Sequence, residues 1–205
     1  MALPKEYLGY LVPELVKRLE KSGKVTLLNQ PAAVERVHQV FQDEFAREDR
    51  LNQEVREHLE KHNEQIRRDA LSYQELYKLV KKELMKKHKM VPMRPEDGTK
   101  ISRDKAIDLS HQLAKGLITL KQAVKLVGDP NDFRLEILKE MQAILREEFA
   151  MDQAVRDKIR SQKREIAEMS EEWDILFKKY YQDELRKLGV APPVQPSQQA
   201  LNQKI

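Results

Sequence analysis

The chain contains no cysteine, which removes disulfides, thiolate nucleophiles and thiolate metal sites together. No apolar run approaches the roughly 18 residues that a membrane span needs. Glycine is scarce, six in 205 residues, and none is gathered into a phosphate-cradling loop. There is no nucleophile elbow, and no carboxylate pair stands isolated among apolar neighbours, because nearly every acid alternates with lysine or arginine. No strand pattern of convincing length appears. The opening residues, Met1-Ala-Leu-Pro-Lys-Glu6, lack the basic-then-apolar layout of a secretory signal. These absences lead to an expectation of a cytoplasmic, non-catalytic protein with no cofactor, no bound metal, no membrane partner and no small-molecule substrate.

What is present is charge and helical period. Charged residues make up 35% of the chain, against a usual ~25%, which describes a very soluble surface over a modest core. Apolar residues reach 40%, enough to argue against disorder over most of the length. The net charge of +4 is mildly basic, and the signs interleave, so steering toward nucleic acid or anionic lipid is permitted without being required. A chain of 205 residues suits one substantial domain or two small ones of about 100 residues each.

Leu8, Leu11, Val12, Leu15 and Leu19 recur at helical spacing, predicting an amphipathic helix over residues 5–21 that ends at Ser22-Gly23. Pro13 lies inside it and should kink the helix or move its start later. Residues 24–28 read as a short extended link. Pro31 suits the first turn of the next helix, whose face Val34, Val37, Phe41 and Phe45 continues through Val55, Leu59 and Ile66 to about Arg68. Asn52, and Asp152 in the later part of the chain, are N-cap residue types, so each marks either a break or a point where one long helix passes through. Ser72-Tyr-Gln-Glu75 is a capping box opening a helix with the stripe Tyr73, Leu76, Tyr77, Val80 and Leu84. Lys78, Lys82, Lys86 and Lys89 fall on its other side.

Residues 91–99, with two prolines and a glycine, have no period and read as a linker. Beyond it Ser102 is an N-cap, with Ala106, Ser110, Leu113, Ala114 and Leu117 facing inward. Thr119-Leu-Lys-Gln122 reads as a further capping box, starting a short helix to about Val127. Pro130 repeats the proline entry of Pro31, and Phe133, Ile137, Met141, Ile144 and Leu145 carry a long helix toward Asp152. In the helix after Ser170, Glu171 and Glu172 sit in the first turn and Arg186 and Lys187 in the last, both favourable to the helix dipole. From Val190 the chain becomes a Pro/Gln-rich tail too polar to order itself.

The stretch from Val155 to Gly189 echoes one a hundred positions earlier: Val55-Arg56 against Val155-Arg156, Leu59 against Ile159, Tyr73 against Trp173, Tyr77 against Phe177. A self-match at a fixed period is the mark of an internal duplication. The expected fold is therefore all-α without a sheet: a first helical repeat over 1–91, a linker over 92–99, a second repeat over 100–189, and a disordered tail over 190–205. Each repeat should pair a long helix with its capped C-terminal helix in an antiparallel hairpin.

The segment Val155-Arg-Asp-Lys-Ile-Arg-Ser161, with Glu172-Trp-Asp-Ile-Leu-Phe-Lys-Lys-Tyr-Tyr181, resembles a bacterial family catalogued as domain of unknown function 507. Leu71-Ser-Tyr-Gln-Glu-Leu76 and the lysine-rich helix after it extend the resemblance, which covers roughly residues 3–190 as two tandem copies. It implies a compact helical protein. It implies no reaction, cofactor or catalytic residue.

Among candidate sites, Arg156, Arg160, Lys163 and Arg164 share one side of the helix after Asp152. The matching positions Arg56, Glu60, Asn63 and Glu64 are not basic, so packing alone does not require the cationic side. A phosphate-bearing or acidic partner would explain it; the plainer account is a solvated face paired to neighbouring acids. The Lys78/Lys82/Lys86/Lys89 row reads as an ordinary solvated face. Trp173 and Phe177 suit the core better than a stacking platform, whereas Tyr181 stands between core and partner contact. His58 and His62 lie one turn apart, with no third ligand marked and the glutamate displaced from a zinc-helix pattern. The expectation is a binding or scaffold protein acting on a protein partner through helix faces; the alternative is an RNA- or ribosome-associated protein using the basic face of the second half.

Overall fold

The computed structural model describes residues 3–68, 72–92 and 98–190. After a single 3-10 turn over Lys5–Tyr7, the helices are α1 (Leu8–Lys21), α2 (Gln30–Glu60), α3 (Asn63–Arg68), α4 (Tyr73–Lys87), α5 (Arg103–Ile118), α6 (Pro130–Arg160) and α7 (Glu171–Lys187). Two strands, β1 (Val25–Leu27) and β2 (Val124–Leu126), pair antiparallel with Thr26 opposite Lys125. The family-level expectation of a mostly helical protein holds. The expectation of no sheet is corrected by this ribbon. Each strand is three residues long, too short to show alternation in a sequence window, and each is fixed by a partner about a hundred residues away.

The ribbon also corrects the short helix placed over residues 119–127. Thr119 closes α5 instead of opening a new helix, its Oγ1 donating to the Gly116 carbonyl at 2.7 Å. A threonine hydroxyl that bonds backward cannot also cap forward, and this local competition decides the end of α5. Elsewhere the caps lie where the sequence puts them. Ser72 accepts from the Glu75 N–H, Ser102 from Lys105 and Ser170 from Trp173. Asp129 accepts from the Asn131 N–H at 2.7 Å and from Asp132 at 3.2 Å. Gly23, just past α1, takes the left-handed conformation, with φ at 72°, where a Cβ would be strained. α1 runs through Pro13, and its α-helical part begins at Leu8, after the tighter 3-10 turn.

α2 and α6 are each 31 residues long and unbroken, so Asn52 and Asp152 are interior positions. Both are instead engaged from outside their helix: Asn52 Oδ1 accepts from the Tyr77 hydroxyl at 3.0 Å, and Asp152 receives Lys100 at 2.6 Å. Buried positions run in step along the two helices: Ala33 with Phe133, Val37 with Ile137, Phe41 with Met141, Val55 with Val155, and Leu59 with Ile159. α1 and α5 also match, Leu11 with Leu109, Leu15 with Leu113 and Leu19 with Leu117.

Packing crosses the linker in both directions. α1 lies against α2 and α6, and α5 lies against α6 and α2. One continuous core therefore takes side chains from Leu3 to Leu185. Two polar anchors occupy corresponding places in it. The buried Tyr7 hydroxyl donates to the Ile144 carbonyl at 3.0 Å, while the buried Lys105 Nζ reaches Glu44 Oε1 at 2.5 Å and Asp108 at 3.1 Å.

The two C-terminal helices are seated differently. α7, on α6, buries Trp173, Tyr181 and Leu185 in the main core. α4, on α2, buries no residue fully. Its Leu76, Tyr77, Val80 and Leu84 cover a separate small cluster of Val55, Leu59 and Ile66. The centre of the linker (93–97), the tail from 191 onward and Leu71 lie outside the described residues.

Candidate partner-binding surfaces

The shared helix side expected for four cations is corrected. α6 ends at Arg160, so Arg156 and Arg160 lie on it while Lys163 and Arg164 fall in the turn that follows. Three of the four are engaged by acids. Arg156 is only 17% exposed at its side chain. Its Nε donates to the buried Asp152 at 2.6 Å, a second nitrogen approaches Glu168 at 3.6 Å, and its guanidinium lies 5.1 Å over the Phe177 ring. Because Asp152 also holds Lys100, Arg156 belongs to an internal network joining α6 to the segment before α5. Arg160 pairs with Asp157 at 3.0 Å and Glu168 at 2.9 Å, and the hydrogen bond to Glu168 is the largest influence holding its guanidinium above the usual arginine range. Arg164, 77% exposed, pairs with Glu172 at 2.6 Å. Lys163 is exposed and makes no ion pair among the described residues.

Tyr181 is placed in the core, where it cannot serve as the surface contact considered for it. It is 5% exposed, stacks on Phe177 at 5.6 Å with rings 22° apart, and donates its hydroxyl to Glu148 Oε1 at 2.9 Å. Glu148 is fully buried, and its Oε2 has no hydrogen-bond partner among the described residues. Burial pushes its carboxyl above the usual range, against an opposing pull from Lys100. Burial, then the neighbouring Glu148, pushes the Tyr181 phenol far up. Trp173 is buried as the stripe implies.

On α4, Lys81 reaches Glu48 at 3.7 Å and Lys86 reaches Glu83 at 2.8 Å. Lys78, Lys82, Lys87 and Lys89 are exposed and make no ion pair among the described residues. Where α4 ends, His88 bonds to Glu54 at 2.8 Å. There a cleft of about 360 Å³ is lined by Arg47, Arg50, Leu51, Glu54, His88 and Met90. This cleft is not readable from sequence, because its walls come from α2 and from the segment just after α4, about forty residues apart. His58 and His62 sit with ring centroids 5.2 Å apart, and His62 Nδ1 lies 2.9 Å from the His58 carbonyl. Among the described residues no group of three His, Cys, Asp or Glu is placed to hold a metal ion. No helix among them is long and apolar enough to cross a membrane.

A family model described as Protein of unknown function (DUF507) matches residues 1–190. The chain belongs to this family. The match takes in every described element, the ribbon, both long helices and both C-terminal helices. No curated protein matches the chain. Membership thus fixes relatedness while leaving the chemistry to the surfaces just described, which offer paired charges, unpaired lysines and a few exposed aliphatic side chains.

Proposed function

We propose that this protein is a non-catalytic cytoplasmic binding or scaffold protein that engages its partner through the outer faces of its helices. One observation carries the reading. The outer faces of α4 and α7 each leave a large aliphatic side chain in solvent, Leu79 at 60% and Ile175 at 62% exposed, beside lysines without an ion pair among the described residues: Lys78 and Lys82, and Lys178 and Lys179. The two buried lysines, by contrast, are satisfied from within the chain, Lys105 by Glu44 and Lys100 by Asp152. Polar groups held in this way stabilise one packing arrangement and leave the helix exteriors for recognition.

The same reading includes an origin by duplication. Its support is the stepwise match of buried positions between α2 and α6 and between α1 and α5, with the two three-residue strands pairing across the centre. A second reading, an RNA- or ribosome-associated protein using the basic face after α6, has support from Lys163 and from the exposure of Arg164. It ranks second because Arg156 and Arg160 are occupied by Asp152, Asp157 and Glu168.

A tagged pull-down with nuclease-treated and untreated arms tests the proposal, run with wild type, Leu79→Asp and Ile175→Asp. A protein recovered by wild type in both arms and lost with either variant, at unchanged thermal stability, supports it. Recovery of no partner in either arm counts against it.

A further inference from the structure

We infer that the outer face of α4 binds the phosphodiester backbone of nucleic acid by charge alone. This goes beyond the helix-face reading, adding a second ligand on the lysine strip of α4. From Ser72 to Met90 the chain carries six lysines against two glutamates. The corresponding stretch, Glu172 to Val190, carries four basic residues against four acidic ones. Both helices close a hairpin on the long helix before them, so that packing does not require the lysines of α4.

Geometry separates these lysines from the cations after α6. Arg156, Arg160 and Arg164 are consumed by acids of their own chain, while Lys78, Lys82 and Lys89 have no such partner among the described residues. At 100° per residue Lys78 and Lys82 fall about 40° apart, on the side away from Leu76, Tyr77 and Val80; Lys89 lies beyond the end of α4 at Lys87, with φ at 51°. Lys78 and Lys82 lie about 6 Å apart along the helix axis, close enough to act together on neighbouring phosphates. At the Lys89 end the cleft beside His88 adds Arg50, which makes no ion pair among the described residues.

Composition decides between a phosphodiester and an acidic protein surface. Protein interfaces deplete lysine at their centre and enrich aromatic residues. The strip of α4 that carries Lys78 and Lys82 has the reverse composition, and Leu79, the aliphatic side chain assigned above to a protein partner, lies about 60–100° round the helix from them. Tyr77 is turned inward to Asn52, and Tyr73 projects on the side of Val80. No stacking platform accompanies the charges, so the backbone is held and base identity is not read. Lysine ammonium groups act as point charges and suit that role.

The test is fluorescence anisotropy of the full chain with a labelled 12-nucleotide oligouridylate between 50 and 200 mM salt. Parallel arms use single-stranded DNA and duplex DNA of the same length to identify which nucleic acid supplies the phosphates. With four cations engaged, the logarithm of the affinity should fall with the logarithm of salt at a slope of about −3 for a single strand, roughly a fifty-fold loss across that range. Lys78→Gln with Lys82→Gln should make the slope shallower by about 1.4, with Trp173 fluorescence and thermal unfolding unchanged. Arg160→Gln with Arg164→Gln should leave it as it was. Absence of binding to all three nucleic acids at 50 mM salt overturns the inference, as does an unchanged slope in the lysine variant. None of these failures touches the helix-face reading if Leu79→Asp or Ile175→Asp still abolishes capture of a protein.

Discussion

Replacing Lys105 with methionine tests how the interior is held together. The Lys105 side chain is 1% exposed and that of Glu44 is 2% exposed. Their contact at 2.5 Å is supported by Asp108 at 3.1 Å on the lysine and by Gln112 at 3.4 Å on the glutamate. Removing the ammonium leaves a carboxylate in the core with only Gln112 and the more exposed Arg47 beside it. Breaking a buried pair from one side costs about 3–5 kcal/mol. At about 2–4 °C per kcal/mol for a chain of this size, the melting temperature should fall by about 6–20 °C. The corresponding site elsewhere in the molecule meets the same demand differently, with Tyr7 bonded to the Ile144 carbonyl. Transplanting that solution as Lys105→Tyr with Glu44→Ile should therefore recover more than half of the loss, since replacing both partners of a buried pair is often near neutral. Urea unfolding followed by Trp173 fluorescence gives the midpoint and slope for wild type, single and double variants. A single-variant loss below about 1 kcal/mol would refute the energetic argument. A double variant no better than the single would refute the equivalence of the two sites.

Glu148→Gln should raise stability at neutral pH and have little effect below about pH 4. The folded carboxyl is displaced upward from 4.5 by burial, so folding favours its protonated form. The wild type gains stability from this group as pH falls through the displaced value toward 4.5 and lacks that gain at neutral pH; urea midpoints at the two pH values check the sign. Trp173→Ala should cost about 3–5 kcal/mol, whereas Tyr73→Ala, at the half-exposed equivalent on α4, should change stability by no more than about 0.5 kcal/mol, both read from thermal unfolding. Asp129→Ala, which removes acceptance from two backbone N–H groups, should cost about 1 kcal/mol. Hydrogen exchange should find α4 amides opening before those of α7, because only α7 places residues in the main core.

Local chemistry was legible where a few adjacent residues decide the outcome. The capping serines 72, 102 and 170, the inward stripes and the burial of Trp173 all follow from nearest-turn geometry. Legibility failed where a distant residue decides. Asn52 and Asp152 have cap chemistry but lie inside unbroken helices because Tyr77 and Lys100 claim their side chains. Tyr181 follows its Glu148 acceptor inward, and the strands exist only as a pair. Lys100 and Lys105 were unreadable as buried residues, since lysine is almost never enclosed unless paired and each has its main partner more than fifty positions away. The basic side reads from the sequence as lying on one helix, but that helix ends at Arg160, short of Lys163 and Arg164. Pairing to neighbouring acids is the plainer account of that face; which acids is not visible, because Glu168 and Glu172 approach it only once the turn before α7 has folded back.

The crossed seating of α1 on α6 and α5 on α2 has a consequence for how the molecule comes apart. A protease cut anywhere between Pro92 and Gly98 would sever the backbone without separating anything that is packed, because both fragments contribute to one interior. The nicked protein should elute intact from a sizing column and dissociate only in denaturant. Neither fragment, expressed by itself, would find the surfaces it normally leans on unless a twin of its own kind supplied them.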